Sequence, residues 1–156
     1  MKTLILQASA RPHGDTHRAV LRLAAELAAD LLDLLDYSLH HYRYDHAYPP
    51  DDQFPELIAR CHSYDRLILA SPVYWYSMSG HLKVFVDRLT DLLTVQPETG
   101  RRLRGKTLGV LGVSDDGDVE ACFFKPFELT AGYLGMTYGP EYVADATGTY
   151  RLRHSR

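Results

Sequence analysis

Apolar residues along this chain alternate between two rhythms. Thr3-Leu4-Ile5-Leu6-Gln7-Ala8 is a short, nearly continuous apolar run ended by small, turn-prone residues. Such a run reads as a strand buried on both faces, the habit of parallel sheets. After a loop at Ser9–Asp15 containing Pro12 and Gly14, the residues Val20, Leu23, Ala24, Leu27 and Ala28 recur at helical spacing. Asp15 or Thr16 stands where it can cap that helix. Leu34–Leu39 is a weaker strand candidate, followed by a His- and Tyr-rich loop up to Pro49-Pro50. Asp51 or Asp52 then starts a helix in which Phe54, Leu57, Ile58 and Cys61 fall on one face; Pro55 is tolerated there because it lies in the first turn.

The rhythm continues with a buried strand at Arg66–Ala70 and a helix striped by Leu82, Phe85, Val86, Leu89 and Leu93. Thr107–Val113 reads as a strand, Ala121–Gly132 as a helix broken at Pro126, and Met136–Val143 as a final strand. Parallel neighbours need crossover connections, so this alternation predicts an α/β sandwich of about five parallel strands with helices on both faces.

The 156 residues fit one domain, with residues 147–156 as a peripheral tail. Hydrophobic residues at 46% and charged residues at 24% are ordinary globular usage, which removes disordered and collagen-like classes. A formal net charge of −3 gives no electrostatic reason to expect nucleic acid as a partner. The short basic clusters Arg101, Arg102, Arg104 and Arg151, Arg153, Arg156 read as solvated loop and tail. Cys61 and Cys122 have no metal-type spacing and read as buried small hydrophobes. No apolar run approaches the roughly 20 residues of a membrane span, and the N-terminus lacks a signal-peptide core, so a cytoplasmic protein is expected.

In an open α/β sheet, ligands bind beyond the carboxyl ends of the strands, which directs attention to three loops. Ser9–His17 leaves a strand and enters a helix whose first amides are unpaired. With the Ser9 and Thr16 hydroxyls, Arg11 and Gly14, it has the parts of a phosphate cradle, though a plain strand–turn–helix junction uses the same parts. Its pattern is neither a Walker A loop nor Gly-x-Gly-x-x-Gly. The second loop, Ser71-Pro72-Val73-Tyr74-Trp75-Tyr76-Ser77-Met78-Ser79-Gly80, carries three consecutive aromatics that cannot all face one core. At least one should be exposed, against a planar ligand or a neighbouring subunit. The third is Ser114–Val119.

Leu6-Gln7-Ala8-Ser9-Ala10-Arg11-Pro12-His13-Gly14-Asp15-Thr16 resembles the phosphate loop of the NADPH-dependent FMN reductase family, commonly Gly/Ala-Ser-x-Arg-x-x-Ser/Gly-Asn-Thr. The run from Ala70 to Arg88 resembles that family's second block, Ser/Thr-Pro-x-Tyr-x-x-Ser-x-x-x-x-Leu-Lys-x-x-x-Asp-Arg. The two blocks stand in the expected order, each after the expected strand.

The resemblance implies a flavodoxin-like, three-layer fold with strand order 2-1-3-4-5 and non-covalently held FMN. It maps Ser9, Arg11, Asp15, Thr16 and His17 to the phosphate loop, and Pro72, Val73, Tyr74, Trp75, Tyr76 and Ser77 to the isoalloxazine loop. Ser114, Asp115 and Gly117 fall where a third loop borders the ring. The implied activity is hydride transfer from NADPH or NADH to FMN, then electron transfer to a quinone, flavin or other small acceptor. The chemistry resides on flavin N5, so no catalytic side chain is required. A homodimer is implied, with the aromatic loop or third helix at the contact. The alternatives are a flavodoxin-type electron carrier and a cofactor-free interaction domain.

Asp15 replaces the family's usual Asn, placing a carboxylate beside the phosphate position. The short sequence after Val143 leaves no room for the usual final helix, so a strand, tail or subunit is expected to cover that flank. Lys83 and Asp87 are spaced to pair on a helix surface. His40, His41 and His46 match no metal-ligand spacing, and His13 and His81 read as solvated.

Overall fold

A computed structural model describes residues 1–153. Its one sheet has the order β2-β1-β3-β4-β5-β6. The first five strands run parallel: β1 (Thr3–Gln7), β2 (Asp30–Asp33), β3 (Arg66–Pro72), β4 (Thr107–Val113) and β5 (Thr137–Ala144). This is the expected order 2-1-3-4-5 with one strand added. The addition, β6 (Tyr150–Leu152), runs antiparallel to β5.

The helices are α1 (Asp15–Leu27), α2 (Phe54–Cys61), α3 (Gly80–Arg88), the short α4 (Asp91–Thr94) and α5 (Pro97–Arg101), and α6 (Ala121–Leu134). Two apolar clusters sandwich the sheet. Val20 and Leu23 of α1 pack against Ile5, Ile68 and Leu111 on one face. On the other, Leu57, Leu82, Phe85, Phe123 and Phe127 pack against Leu4, Leu6, Leu69 and Val110. Each fully buried side chain of this size contributes roughly 1.5–3 kcal/mol. No helix is long and apolar enough to cross a membrane among the described residues.

Several expectations are corrected. The second strand is Asp30–Asp33, and the apolar run after it becomes a 3₁₀ turn, Leu34–Asp36, followed by loop. Gly14 occupies the cap of α1, so neither Asp15 nor Thr16 does. Gln53 occupies that position for α2, while Asp52 turns inward to Arg88. Helix α6 runs unbroken through Pro126, whose missing amide lies on the exposed side. Cys61 is buried, and desolvation pushes its thiol up to about 12, but Cys122 is exposed. Arg153 is half-buried against Glu141 rather than loosely solvated, and Arg156 lies outside the described residues.

Beyond β5 the chain turns tightly and returns as β6. Asp145 organises the turn by accepting from the Thr147 hydroxyl (2.6 Å) and from the Thr147 and Thr149 amides (2.8 and 3.1 Å). The Thr147 hydroxyl foremost holds the Asp145 carboxyl below its ordinary range. Gly148, at φ +80°, presses on α1: a Cβ there would sit 2.9 Å from Arg18 Cβ and 3.0 Å from Ala19 N. Tyr150 then packs edge-on against Tyr142, ring centroids 6.0 Å apart. A strand of this chain therefore extends the sheet past β5.

The long loop between the 3₁₀ turn and α2 hangs on Arg88, which is 1% exposed. Its guanidinium forks onto Asp52 (2.7 and 2.9 Å), reaches Asp91 (2.8 Å) and the His40 carbonyl (3.0 Å), and lies over the rings of Tyr48 and Phe54. Two carboxylates and two aromatic faces compensate a charge that would otherwise be prohibitive to bury.

Candidate functional site

Adjacent parallel strands bring their carboxyl-terminal loops together. The ladder extends past the strands through Ala8 N–H to Ala70 O (2.9 Å), Val73 N–H to Val113 O (2.9 Å) and Ser114 N–H to Ala144 O (3.1 Å). Between these loops lies a cavity of about 430 Å³, within the roughly 300–1,000 Å³ typical of small-molecule sites. Ser9, Arg11, Asp15 and Thr16 wall one side, Pro72, Val73 and Tyr74 a second, and Val113, Ser114, Asp115 and Asp116 a third. Nine of the fourteen residues named from the sequence thus meet around one space.

The first wall is built to receive an anion. Gly14 offers α1 no capping side chain, and no in-chain acceptor meets the Asp15, Thr16 and His17 amides among the described residues. Three free N–H groups at the positive end of a 13-residue helix suit a phosphate. Thr16 is buried, and so is Ser9, whose hydroxyl accepts from the Arg11 amide (3.3 Å). A Cβ at Gly14 would stand 3.2 Å from Arg11 Nε, so a larger residue there would displace the arginine. The Asp15 carboxylate pairs with Arg18 and lies 3.8 Å from Arg11. Asp15 is thus paired away from the helix start, while Asp115 and Asp116 stand on the third wall.

The second wall ends in an unusual turn. Tyr74 and Ser77 exchange backbone hydrogen bonds (2.9 and 3.1 Å), closing a two-residue loop. Its central residues, Trp75 and Tyr76, have φ of +49° and +65°. That is the conformation of a type I′ turn, where Asn-Gly is usual and side chains with a bulky Cβ are strained. Trp75 is 93% exposed and Tyr76 64%. The Cys122 thiol, near the start of α6, lies 3.9 Å from the Tyr76 carbonyl.

The third wall is polar. The Asp118 amide (2.9 Å) and then the Ser114 hydroxyl (3.2 Å) bond Asp116 Oδ1 and hold that carboxyl below its usual range. Of the remaining sequence candidates, His17 is turned away and bonds Gln7 Oε1 (3.0 Å). Trp75, Tyr76 and Ser77 stand beyond Tyr74 rather than on the cavity wall, and Gly117 lines a neighbouring notch. Val113, Asp116 and Ser79 were not named as site residues from the sequence, and Ser71, buried behind the wall against Ser79, entered only as the first position of the second block. The position of Ser79 ahead of a helix is the one signal that could have found it.

A larger cavity of about 620 Å³ lies between α6 and the β5–β6 hairpin. Its lining includes Asp118, Glu120, Glu128, Glu141, Lys125, Arg151 and Arg153 and none of the residues of the loops after β1 and β3. Elsewhere, Lys83 pairs with Asp87 (2.6 Å), His40 with Asp51 (2.9 Å) and His46 with Asp91 (2.9 Å).

Comparison with known proteins places this arrangement. General stress protein 14 of Bacillus subtilis is 33% identical over 95 residues, covering 53% of this chain and 54% of that protein. The putative NAD(P)H-dependent FMN-containing oxidoreductase YwqN of the same organism is 30% identical over 94 residues, covering 58% and 52%. These matches span about half the length of the curated relatives. Among solved structures, the Trp repressor binding protein of Bacillus subtilis superposes with a TM-score of 0.70 at 23% identity, covering 92% of this chain and 83% of that one. A general stress protein 14 in complex with FMN from Treponema denticola gives 0.58 at 21% identity, covering 90% and 84%. The family model for NADPH-dependent FMN reductase matches residues 1–149, so the chain belongs to the NADPH-dependent FMN reductase family.

Proposed function

We propose that this protein is an NAD(P)H-dependent oxidoreductase that holds FMN non-covalently in the three-walled cavity and serves a small acceptor such as a quinone or free flavin. The observation that carries this reading is the convergence of an uncapped helix start with free amides and a partly apolar, partly polar slot on one cavity. The Asp15, Thr16 and His17 amides, with Arg11, would hold the phosphate. Pro72, Val73 and Tyr74 would face one side of the ring, and Ser114–Asp116 the other. When bound, FMN supplies the redox chemistry, accepting hydride from NAD(P)H and passing electrons onward. The protein's part is to bind, orient and shield, and no side chain needs to move a proton.

Further support comes from the family match and from the printed activities of relatives such as YwqN and of structural neighbours such as an NAD(P)H:acceptor oxidoreductase of Paracoccus denitrificans. A homodimer fits the exposed apolar groove between α3 and α6, lined by Val86, Leu89, Leu93, Leu129 and Tyr133. Two cysteines without a disulfide suit a cytoplasmic setting.

The test is the visible spectrum of the FMN-loaded protein under anaerobic conditions. Flavin absorbance should bleach on addition of NADPH or NADH and return with a quinone. A protein that keeps its colour with both nicotinamides yet accepts electrons from a separate reductase would be a carrier instead.

A further inference from the structure

We infer that Ser79, behind the cavity and outside the residues that line it, is the positioning residue that fixes the phosphate wall. Ser79 is 0% exposed and sits at the N-cap of α3. Its hydroxyl accepts from the Leu82 amide (3.2 Å) and donates to the Ala8 carbonyl (2.5 Å), 71 residues away in sequence. Its own amide donates to the hydroxyl of Ser71 (2.9 Å), also 0% exposed, which in turn donates to the Pro72 carbonyl (2.8 Å). A relay from α3 therefore ends on two carbonyls, one at the start of the phosphate loop and one on the second wall.

The Ala8 carbonyl matters because of what shares its peptide plane. The Ala8–Ser9 peptide is trans, so its N–H points opposite to its C=O. With the carbonyl pinned to Ser79, the Ser9 amide is directed away from α3. No in-chain acceptor meets that amide among the described residues, and Ser9 itself lines the cavity. Buried amides are nearly always satisfied, so this one is a donor held ready for a ligand. Ser9 also begins the segment that carries Arg11 and Gly14 to the start of α1, so a rotation of this peptide would shift the whole cradle.

The inference rests on the FMN reading above, and the test separates the two. The full chain, stripped of flavin, is titrated with FMN and with riboflavin, following quenching of flavin fluorescence. Ser79→Ala should weaken FMN about tenfold, the effect of losing one well-placed buried hydrogen bond, and weaken riboflavin less. Ser71→Ala spares the α3 cap and should act in the same direction, which covers the case of an unstable Ser79 variant. Leu57→Ala, in the core on α2 and outside the cavity, serves as the control for stability alone. It should lower Tm while leaving FMN affinity within about twofold of wild type. FMN affinities for the Ser79 and Ser71 variants within twofold of wild type would overturn the inference. So would Leu57→Ala weakening FMN as much as they do. A wild-type protein that takes up no FMN would overturn the underlying reading, and the inference with it.

Discussion

The Trp75-Tyr76 turn stores strain that substitution should release. Both residues hold positive φ, at +49° and +65°, in a loop closed by the Tyr74–Ser77 hydrogen bonds. A left-handed conformation costs an L side chain about 1–2 kcal/mol, so the pair carries roughly 2–4 kcal/mol. Replacing it with Asn-Gly, the preferred pair for this turn, sacrifices few contacts because Trp75 is 93% exposed and Tyr76 64%. Glycine adds about 0.5–1 kcal/mol of chain entropy to be lost on folding. The net expectation for Trp75→Asn/Tyr76→Gly is a gain of about 1–3 kcal/mol, or roughly 2–4 °C in Tm for each kcal/mol. Urea unfolding of the flavin-free protein measures it directly, with an unchanged m-value to exclude an effect on the unfolded chain. A variant no more stable than wild type would refute the argument.

Arg88→Met leaves Asp52 and Asp91 buried without their cation and should cost about 3–5 kcal/mol in urea unfolding. Burial alone would raise the Asp52 carboxyl, but hydrogen bonds and charge from Arg88 outweigh it and hold it below the ordinary value. The stabilisation is therefore present above the unfolded aspartate pKa of about 3.9 and lost as pH falls through the lower folded value. The Arg88→Met variant should lack that component of acid sensitivity in a series of melts below pH 5. Asp15→Asn removes a carboxylate beside the phosphate position at the expense of a partly exposed pair with Arg18, and should tighten FMN several-fold by fluorescence titration with Tm nearly unchanged. Gly148→Ala forces a Cβ into the α1 backbone at positive φ, and should cost about 1–3 kcal/mol, measured as a fall in Tm.

The doubly buried strands were plain in the sequence because burial on both faces writes an unbroken apolar run, as in Leu4-Ile5-Leu6 and Leu67-Ile68-Leu69-Ala70. The edges were not. Asp30–Asp33 has two apolar residues between aspartates, so the longer run after it drew the strand assignment although Leu34 is buried from a 3₁₀ turn. Three residues of β6 are too few for any period, and its pairing depends on a turn fixed by Asp145. Pro126 reads locally as a break, yet Phe123, Phe124 and Phe127 bury the opposite side of α6 and keep it whole. At the site, motif spacing brought forward Ser9–Thr16 and Pro72–Tyr74, which the sheet gathers around one cavity. The direction of the His17 side chain was not legible, because its partner, Gln7, is met only through the fold. The role of Asp116 depends on a loop conformation, and that of Ser79 on a contact 71 residues distant, neither of which spacing encodes.

The central claim is that the cavity among these loops binds a flavin by its phosphate, and paired titrations with FMN and riboflavin test it most directly. The two ligands share a ring and differ in the one group the α1 amides and Arg11 are arranged to hold. The account predicts saturable quenching by FMN with at least about tenfold tighter binding than riboflavin, a preference that shrinks in Arg11→Ala. Equal affinity for the two, or no uptake of FMN, would contradict it.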